Sequence, residues 1–229
     1  MPTRSLLNML NSVLSRSAFV VESAFVGGDV DAVQMVEFAN MAQIEYRNFY
    51  PWPSLRKTAT ITMSGASSYA LATDFGELVT DSMYETGASY PVEIPASNEV
   101  WGYLQASASS SSSTYIGKII EGELVVAREN AGDVITYEYI SKYAVDIAAG
   151  GTPKERFTLD TDVFLLDEET LIAGISAYWR MEKEIPTASV AMALFRKKMR
   201  EQIARDAGSK TIRPTSRRHR GPVSDAMLW

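Results

Sequence analysis

The 229-residue sequence has no cysteine and a single histidine, His219. Without cysteine there is no disulfide, no thiolate nucleophile and no cysteine-ligated zinc. That usage is compatible with synthesis in a reducing cytoplasm. One imidazole nearly excludes a Ser-His-Asp or Cys-His arrangement, and it rules out a multi-histidine metal site. Neither GxGxxG nor GxxxxGK occurs, so no phosphate-cradling glycine loop is expected. No apolar run is long enough to cross a bilayer, so no membrane contact is expected. In the opening "MPTRSLLNMLNSVLSRSAFVVESAF", Asn8, Asn11, Ser12, Ser15, Arg16 and Ser17 break up the apolar residues. That argues against a signal peptide and for an unprocessed, soluble chain. No cofactor or metal is expected.

What is present supports a real core. Apolar residues make up 46% of the chain, enough for one large domain or two small ones. The formal net charge of −6 is unevenly spread. Residues 208–229 hold five basic residues against one acid, Asp225, which makes that segment +4 and leaves −10 on residues 1–207. An acidic body repels nucleic acid, whereas a basic tail attracts it, or any acidic surface, including the body of another copy.

The apolar spacing changes along the chain. Leu6, Leu7, Leu10, Val13 and Leu14 share a helical face, with Thr3 as candidate cap. A second helix starts at Asp29 or Asp31 and runs to about Asn48. Its apolar set is wide (Val33, Met35, Val36, Phe38, Ala39, Ala42 and Ile44), which implies burial on more than one side. "YPWPSLRK" ends it, because prolines flank Trp52. Beyond it "KTATITM", "GELVTDSMYE", "YPVEI", "TYIGKII", "ELVVAR" and "DVITYEYISKYA" read as strands, with turns at Gly122 and in "NAGD". "SNEVWGYLQAS" reads as a short helix capped by Ser97, and "SASSSSST" as a flexible loop. Helix returns within "FTLDTDVFLLDEETLIAGISAYWRMEKE", with Asp167 as N-cap and Glu168 and Glu169 in the first turn. A last helix, about 187 to 207, carries Ala188, Met192, Phe195, Met199 and Ile203 on one side.

The expected fold class is therefore α+β. Residues 1–50 and 157–207 form a helical bundle of two plus two long helices. Residues 51–156 form an inserted β-rich, sandwich- or barrel-like module, and residues 208–229 an extended arm.

Chemistry is sparse. Asp160, Asp162, Asp167, Glu168 and Glu169 are the one carboxylate cluster; paired acids can hydrolyse glycosides or hold a divalent ion. They also sit where loop and helix capping needs them. Tyr50, Trp52 and Pro53 suit a domain hinge with Trp52 buried at the junction, or an exposed binding groove. Lys197, Lys198 and Arg200 suit phosphate contacts or a solvated helix face. The arm is the conspicuous segment. Lys210, Arg213, Arg217, Arg218 and Arg220 can pair with carboxylates or phosphates. Met227, Leu228 and Trp229 then supply an apolar anchor of the kind that dominates interfaces.

Several stretches together resemble the portal adaptors, the head–tail connector proteins of tailed, in particular short-tailed, bacteriophages. They are "YRNFYPWPSLRKTATITMSGASSYALATDF", "PVEIPASNEVWGYL", "ITYEYISKYAV" and "FTLDTDVFLLDEETLIAG", covering about residues 30 to 205. Within the first, Tyr69, Leu71, Asp74 and Phe75 match a family element in which Ala72 replaces a proline. The resemblance implies a non-enzymatic structural protein of the virion, made in the host cytoplasm. It implies a homo-oligomeric ring, commonly of about twelve subunits, below the portal protein. The ring would extend the channel for double-stranded DNA, without sequence recognition, and meet the tail or the next connector. The C-terminal arm would dock on the portal. The competing expectations are a nucleic-acid-binding protein that uses the basic tail and a carboxylate-based cell-envelope hydrolase.

Overall fold

A computed structural model describes residues 4–16, 22–87, 91–95, 97–107, 115–127, 131–147 and 151–208. This part of the chain is a mixed α+β fold with five helices and three small sheets.

Helix α1 (Leu6–Arg16) buries Leu6, Met9, Leu10, Val13 and Leu14, a single stripe at helical spacing. Thr3 lies outside the described residues; it is Ser5 whose Oγ accepts the Asn8 N–H, at 3.4 Å. Helix α2 (Val30–Asn48) begins at Asp29, whose carboxylate accepts the Ala32 N–H at 2.9 Å. Helix α4 (Glu168–Glu182) begins in the same way at Asp167, which accepts from Thr170 N at 2.8 Å. In both, the cap satisfies an orphan backbone donor and places negative charge at the positive end of the helix dipole. Helix α5 (Ala188–Gly208) follows after a short turn.

Helix α4 is the hub, packing against α1, α2 and α5. Gly174 makes that possible. A Cβ there would lie 2.9 Å from the Phe195 ring and 3.0 Å from the Ala42 Cβ, so a side chain would hold three helices apart. Phe195 and Met199 of α5 are fully buried in this junction. Two polar residues on the buried side of α2 bond to a loop backbone, with the Gln43 Oε1 left unpaired among the described residues. Asn40 accepts from Phe157 N at 2.8 Å and donates to Phe157 O at 3.3 Å; Gln43 donates to Glu155 O at 2.8 Å. They pin the 151–160 loop onto the bundle.

The β region has its own core. Strand β8 (Val134–Ser141) is used on both edges. It pairs antiparallel with β1 (Arg56–Thr62) along one side, and with β3 (Phe75–Leu78) and β4 (Tyr84–Glu85) along the other. A second sheet runs β2 (Ser68–Ala70), β7 (Glu123–Val126), β6 (Tyr115–Ile120), β5 (Val92–Glu93); only the β5–β6 pair is parallel. The β6–β7 hairpin turns at Glu121 and Gly122, both at positive φ (51° and 83°), the geometry a two-residue turn demands. Helix α3 (Asn98–Ser107) packs on β6, and Ser97 caps it through the Val100 N–H at 3.2 Å. Ile61, Met63, Tyr69, Leu71, Met83, Leu124, Ile135 and Tyr137 fill the space between the sheets. No closed barrel forms among the described residues.

Two stretches depart from the sequence expectation. "GELVTDSMYE" is two strands, broken where Asp81 takes a positive φ of 56°. Ahead of the expected cap at Asp167, "FTLDTDVF" holds a strand that the sequence reading did not place: Asp162–Phe164 is buried as β10, paired antiparallel with β9 (Val145–Ile147). All three β10 residues are buried, which a helix facing one core would not achieve. This ribbon belongs to the helical core, since Val145 and Phe164 pack there with Ala144, Trp52 and Leu55.

Candidate assembly surfaces

The segment joining the two cores is built around Trp52. Its ring is buried, edge-on to Tyr46 at 4.9 Å and to Tyr50 at 5.2 Å, and its Nε1–H donates to Tyr46 O at 2.9 Å. Tyr50 is half-buried and Pro53 is exposed at the start of a short 3₁₀ turn, Pro53–Leu55, that leads into β1. A second strap lies alongside, where the Arg47 guanidinium donates to Lys142 O at the end of β8. Burial lowers the Arg47 pKa from its ordinary value. The Trp52 side chain is therefore buried at the junction.

The Tyr69–Phe75 element locks the β core through hydroxyls and one carboxylate. The Tyr69 hydroxyl accepts from Ser64 N and Ala66 N, at 2.9 and 3.0 Å. The Tyr137 hydroxyl accepts from Ala72 N at 2.9 Å. Asp74 accepts from Lys57 Nζ at 2.6 Å, Tyr139 OH at 2.6 Å and Ser141 Oγ at 2.9 Å. Burial opposes its ionisation, but those three donors outweigh burial and hold its carboxyl below the usual range. Burial, reinforced by Asp74, pushes the Tyr139 hydroxyl well up. Phe75 packs against both tyrosine rings. The element fastens the fold.

The carboxylate cluster is dispersed among structural tasks. Asp160 accepts from Phe25 N at 3.1 Å and Val26 N at 3.1 Å, tying the loop before α2 to the bundle. Asp162, fully buried, accepts from Thr158 N and Leu159 N, at 2.7 and 2.8 Å, and pairs with Lys154 at 2.6 Å. Asp167 is the cap of α4. Glu168 accepts from Arg4 N at 2.6 Å, and Glu169 pairs with Arg4 at 2.6 Å and Arg16 at 3.2 Å. Burial works against the Glu169 charge, yet the two arginines hold its pKa below the ordinary value. Asp167, Glu168 and Glu169 line one cavity, but Asp167 is spent on the α4 cap and Glu168 and Glu169 are held by Arg4 and Arg16, whereas glycoside hydrolysis needs a free pair flanking the bond. Among the described residues, no three His, Cys, Asp or Glu are grouped to hold a metal ion.

Among the described residues, apolar side chains stand exposed on several helix faces, Val100 and Tyr103 of α3 included. On α2 the outer side carries Val30, Val33 and Met41, which are 85%, 48% and 47% exposed. On α5, Val190 and Leu194 are 67% and 49% exposed. Leu194 lies two residues from Arg196, which reaches back to Glu45 of α2 at 3.5 Å, so Leu194 points away from α2. Glu45 also accepts from Tyr178 OH at 2.5 Å; burial first, and then that carboxylate, push Tyr178 up to about 12. Lys197 and Arg200 are exposed and Lys198 is half-buried; Lys197 pairs with Glu201 within the helix. Lys210, Arg213, Arg217, Arg218, Arg220, Met227, Leu228 and Trp229 lie outside the described residues.

A family model described as SU10 adaptor protein matches residues 5–220. The chain belongs to the SU10 adaptor family. The match runs through both helical pairs and the β region and takes in Lys210, Arg213, Arg217, Arg218 and Arg220, stopping short of Met227. No curated protein matches the chain. Membership makes this a bacteriophage adaptor, a structural virion protein that contacts other virion proteins, in agreement with the resemblance in the sequence. No helix among the described residues is long and apolar enough to cross a membrane. Sequence reasoning missed Asn40 and Gln43 as loop fasteners. Their signal is a polar residue at a position of the α2 stripe that is otherwise apolar.

Proposed function

We propose that this adaptor forms a ring, of about twelve copies, below the portal protein of a short-tailed phage, extends the channel for double-stranded DNA and receives the tail or next connector. Residues 1–50 and 157–207 are the ring-forming bundle. Residues 51–156 are the module that projects toward the tail, pivoting at Tyr50, Trp52 and Pro53. The arm, residues 208–229, docks on the portal through Lys210, Arg213, Arg217, Arg218, Arg220, Met227, Leu228 and Trp229. The observation that carries this reading is the adaptor-family match, which continues past the last helix into the basic stretch. The uncovered apolar faces of α2 and α5 support a ring, because closed rings need two different complementary flanks on each copy. The acidic body suits a wall past which DNA slides without sticking. The protein is not an enzyme in this reading.

The test is the mass of the purified chain, alone and mixed with its cognate portal, by light scattering behind size exclusion. A defined complex that disappears when the residues after Gly208 are deleted supports the adaptor ring and the arm together. A truncated chain that still attaches refutes the arm. No portal complex, but a salt-sensitive shift on adding DNA, favours the nucleic-acid reading instead.

A further inference from the structure

At the end of the bundle opposite the exit of α5 lies an apolar cavity of about 490 Å³. Its floor is Leu14, Phe25, Met35, Phe38, Trp179 and Ile185. Its rim is acidic: Glu22, Asp29 and Asp31 surround it, and among the described residues that line it the one cation, Lys183, is paired with Asp31 at 3.3 Å. Glu182, next in the chain, bonds to Gln34 on the same rim at 3.2 Å. An apolar floor inside a negative rim selects an occupant that is apolar at one end and positive beside it.

The chain contains one such segment. Residues 209–229 place four arginines and a lysine ahead of Met227, Leu228 and Trp229. We propose that in the free chain this cavity holds its own Met227–Trp229, with the arginines of the arm against Glu22, Asp29 and Asp31. The reach is sufficient. The arm leaves at Gly208, and α5, with 21 residues, spans about 30 Å at 1.5 Å per residue. Twenty-one residues in extended form cover about 65 Å, twice that distance. Tethering raises the local concentration of the segment well above that of any other copy in solution, which favours the chain's own arm. The larger cavity near Gly208, lined by Trp52, Leu166 and Asp167, is a poorer receptor. Its lining is the more polar of the two, with Asn8, Ser54 and Gln202, and the Arg4 guanidinium stands beside its acids, Asp206 included. It therefore offers an apolar anchor less and places a cation against the arginines. The consequence, which rests on the portal-docking reading, is that the anchor stays sheltered until a portal surface outcompetes the cavity.

The absence of native cysteine makes paired cysteine substitutions unambiguous. The full chain carrying Gln34→Cys and Met227→Cys is oxidised mildly without portal, beside a control with Lys197→Cys, on the exposed face of α5, and Met227→Cys. The expected result is an intrachain disulfide at position 34, enriched at least about tenfold over the control. Adding Glu22→Lys and Asp31→Lys, or raising salt, should remove the enrichment. Equal cross-linking at both positions overturns the proposal. So does a mainly interchain product, which would assign the cavity to another copy's arm. The portal mixing experiment is independent. Arm-deleted chain that still attaches sinks the docking reading while leaving a position-34 cross-link intact; loss of attachment with no cross-link does the reverse.

Discussion

The two cores of this protein are held together by different means. The helical core is a close-packed set of Leu, Met, Phe and Ala around Gly174, with Asn40 and Gln43 as its buried polar groups on α2. The β core is built on tyrosines whose hydroxyls bond to backbone N–H groups or to Asp74. Shape specifies the first and directed polar contacts specify the second. A bundle whose hub already packs against three helices still leaves apolar stripes outside, which is what an assembling part needs. The β region uses its polar contacts to hold short strands that would be marginal on their own.

Substitutions that attack one mode of cohesion should separate the two cores. Phe195→Ala has the largest expected effect, about 3–5 kcal/mol, because it empties the three-helix junction at Gly174. Helix ellipticity in a denaturant titration should report it, and a midpoint unchanged from the parent would contradict the junction. Asp74→Asn comes next, at about 2–3 kcal/mol near neutrality, since it removes a charged acceptor from three donors. The Asp74 pKa is depressed in the fold, so its contribution is complete above the usual carboxyl value near 4 and is lost as pH falls through the depressed value. Parent and variant should converge in acid; a gap independent of pH would mean that the loss is one of packing. Trp52→Phe keeps most of the ring contact but drops the bond to Tyr46 O, for about 1 kcal/mol. Because Trp52 belongs to the helical core, thermal unfolding should show that loss in the helices before the strands. Arg16→Ala should cost least, below about 1 kcal/mol, because the pair with Glu169 is largely exposed and screened; high salt should erase the difference.

Local rules were readable before the fold was known. The caps at Asp29, Ser97 and Asp167, the turn at Gly122 and the apolar stripes of α1, α4 and α5 depend on neighbours a few residues away. What was not readable depends on partners far along the chain. Asp162–Phe164 looks like a helix approach until β9 is placed beside it, and Asp74 gives no sign of Tyr139 and Ser141 waiting more than sixty residues later. The carboxylate cluster misleads for the same reason: its members are adjacent in sequence but engaged by Phe25, Lys154, Arg4 and Arg16. The arm was legible only as composition, in its arginines and its final apolar triplet.

The hub position of α4 sets the order in which the chain can fold. Gln43 meets its loop partner 112 residues later and Glu45 meets Tyr178 133 residues later, so α1 and α2 are synthesised long before anything exists to cover them. At about 5–20 residues per second the delay is on the order of ten seconds, during which two greasy helices wait beside the ribosome. The β region, complete at Ser141, has every strand of its core before α4 emerges. A chain stalled before Asp167 would therefore carry one finished half and one sticky, unpaired half, which makes nascent α1 and α2 natural clients for a holding chaperone.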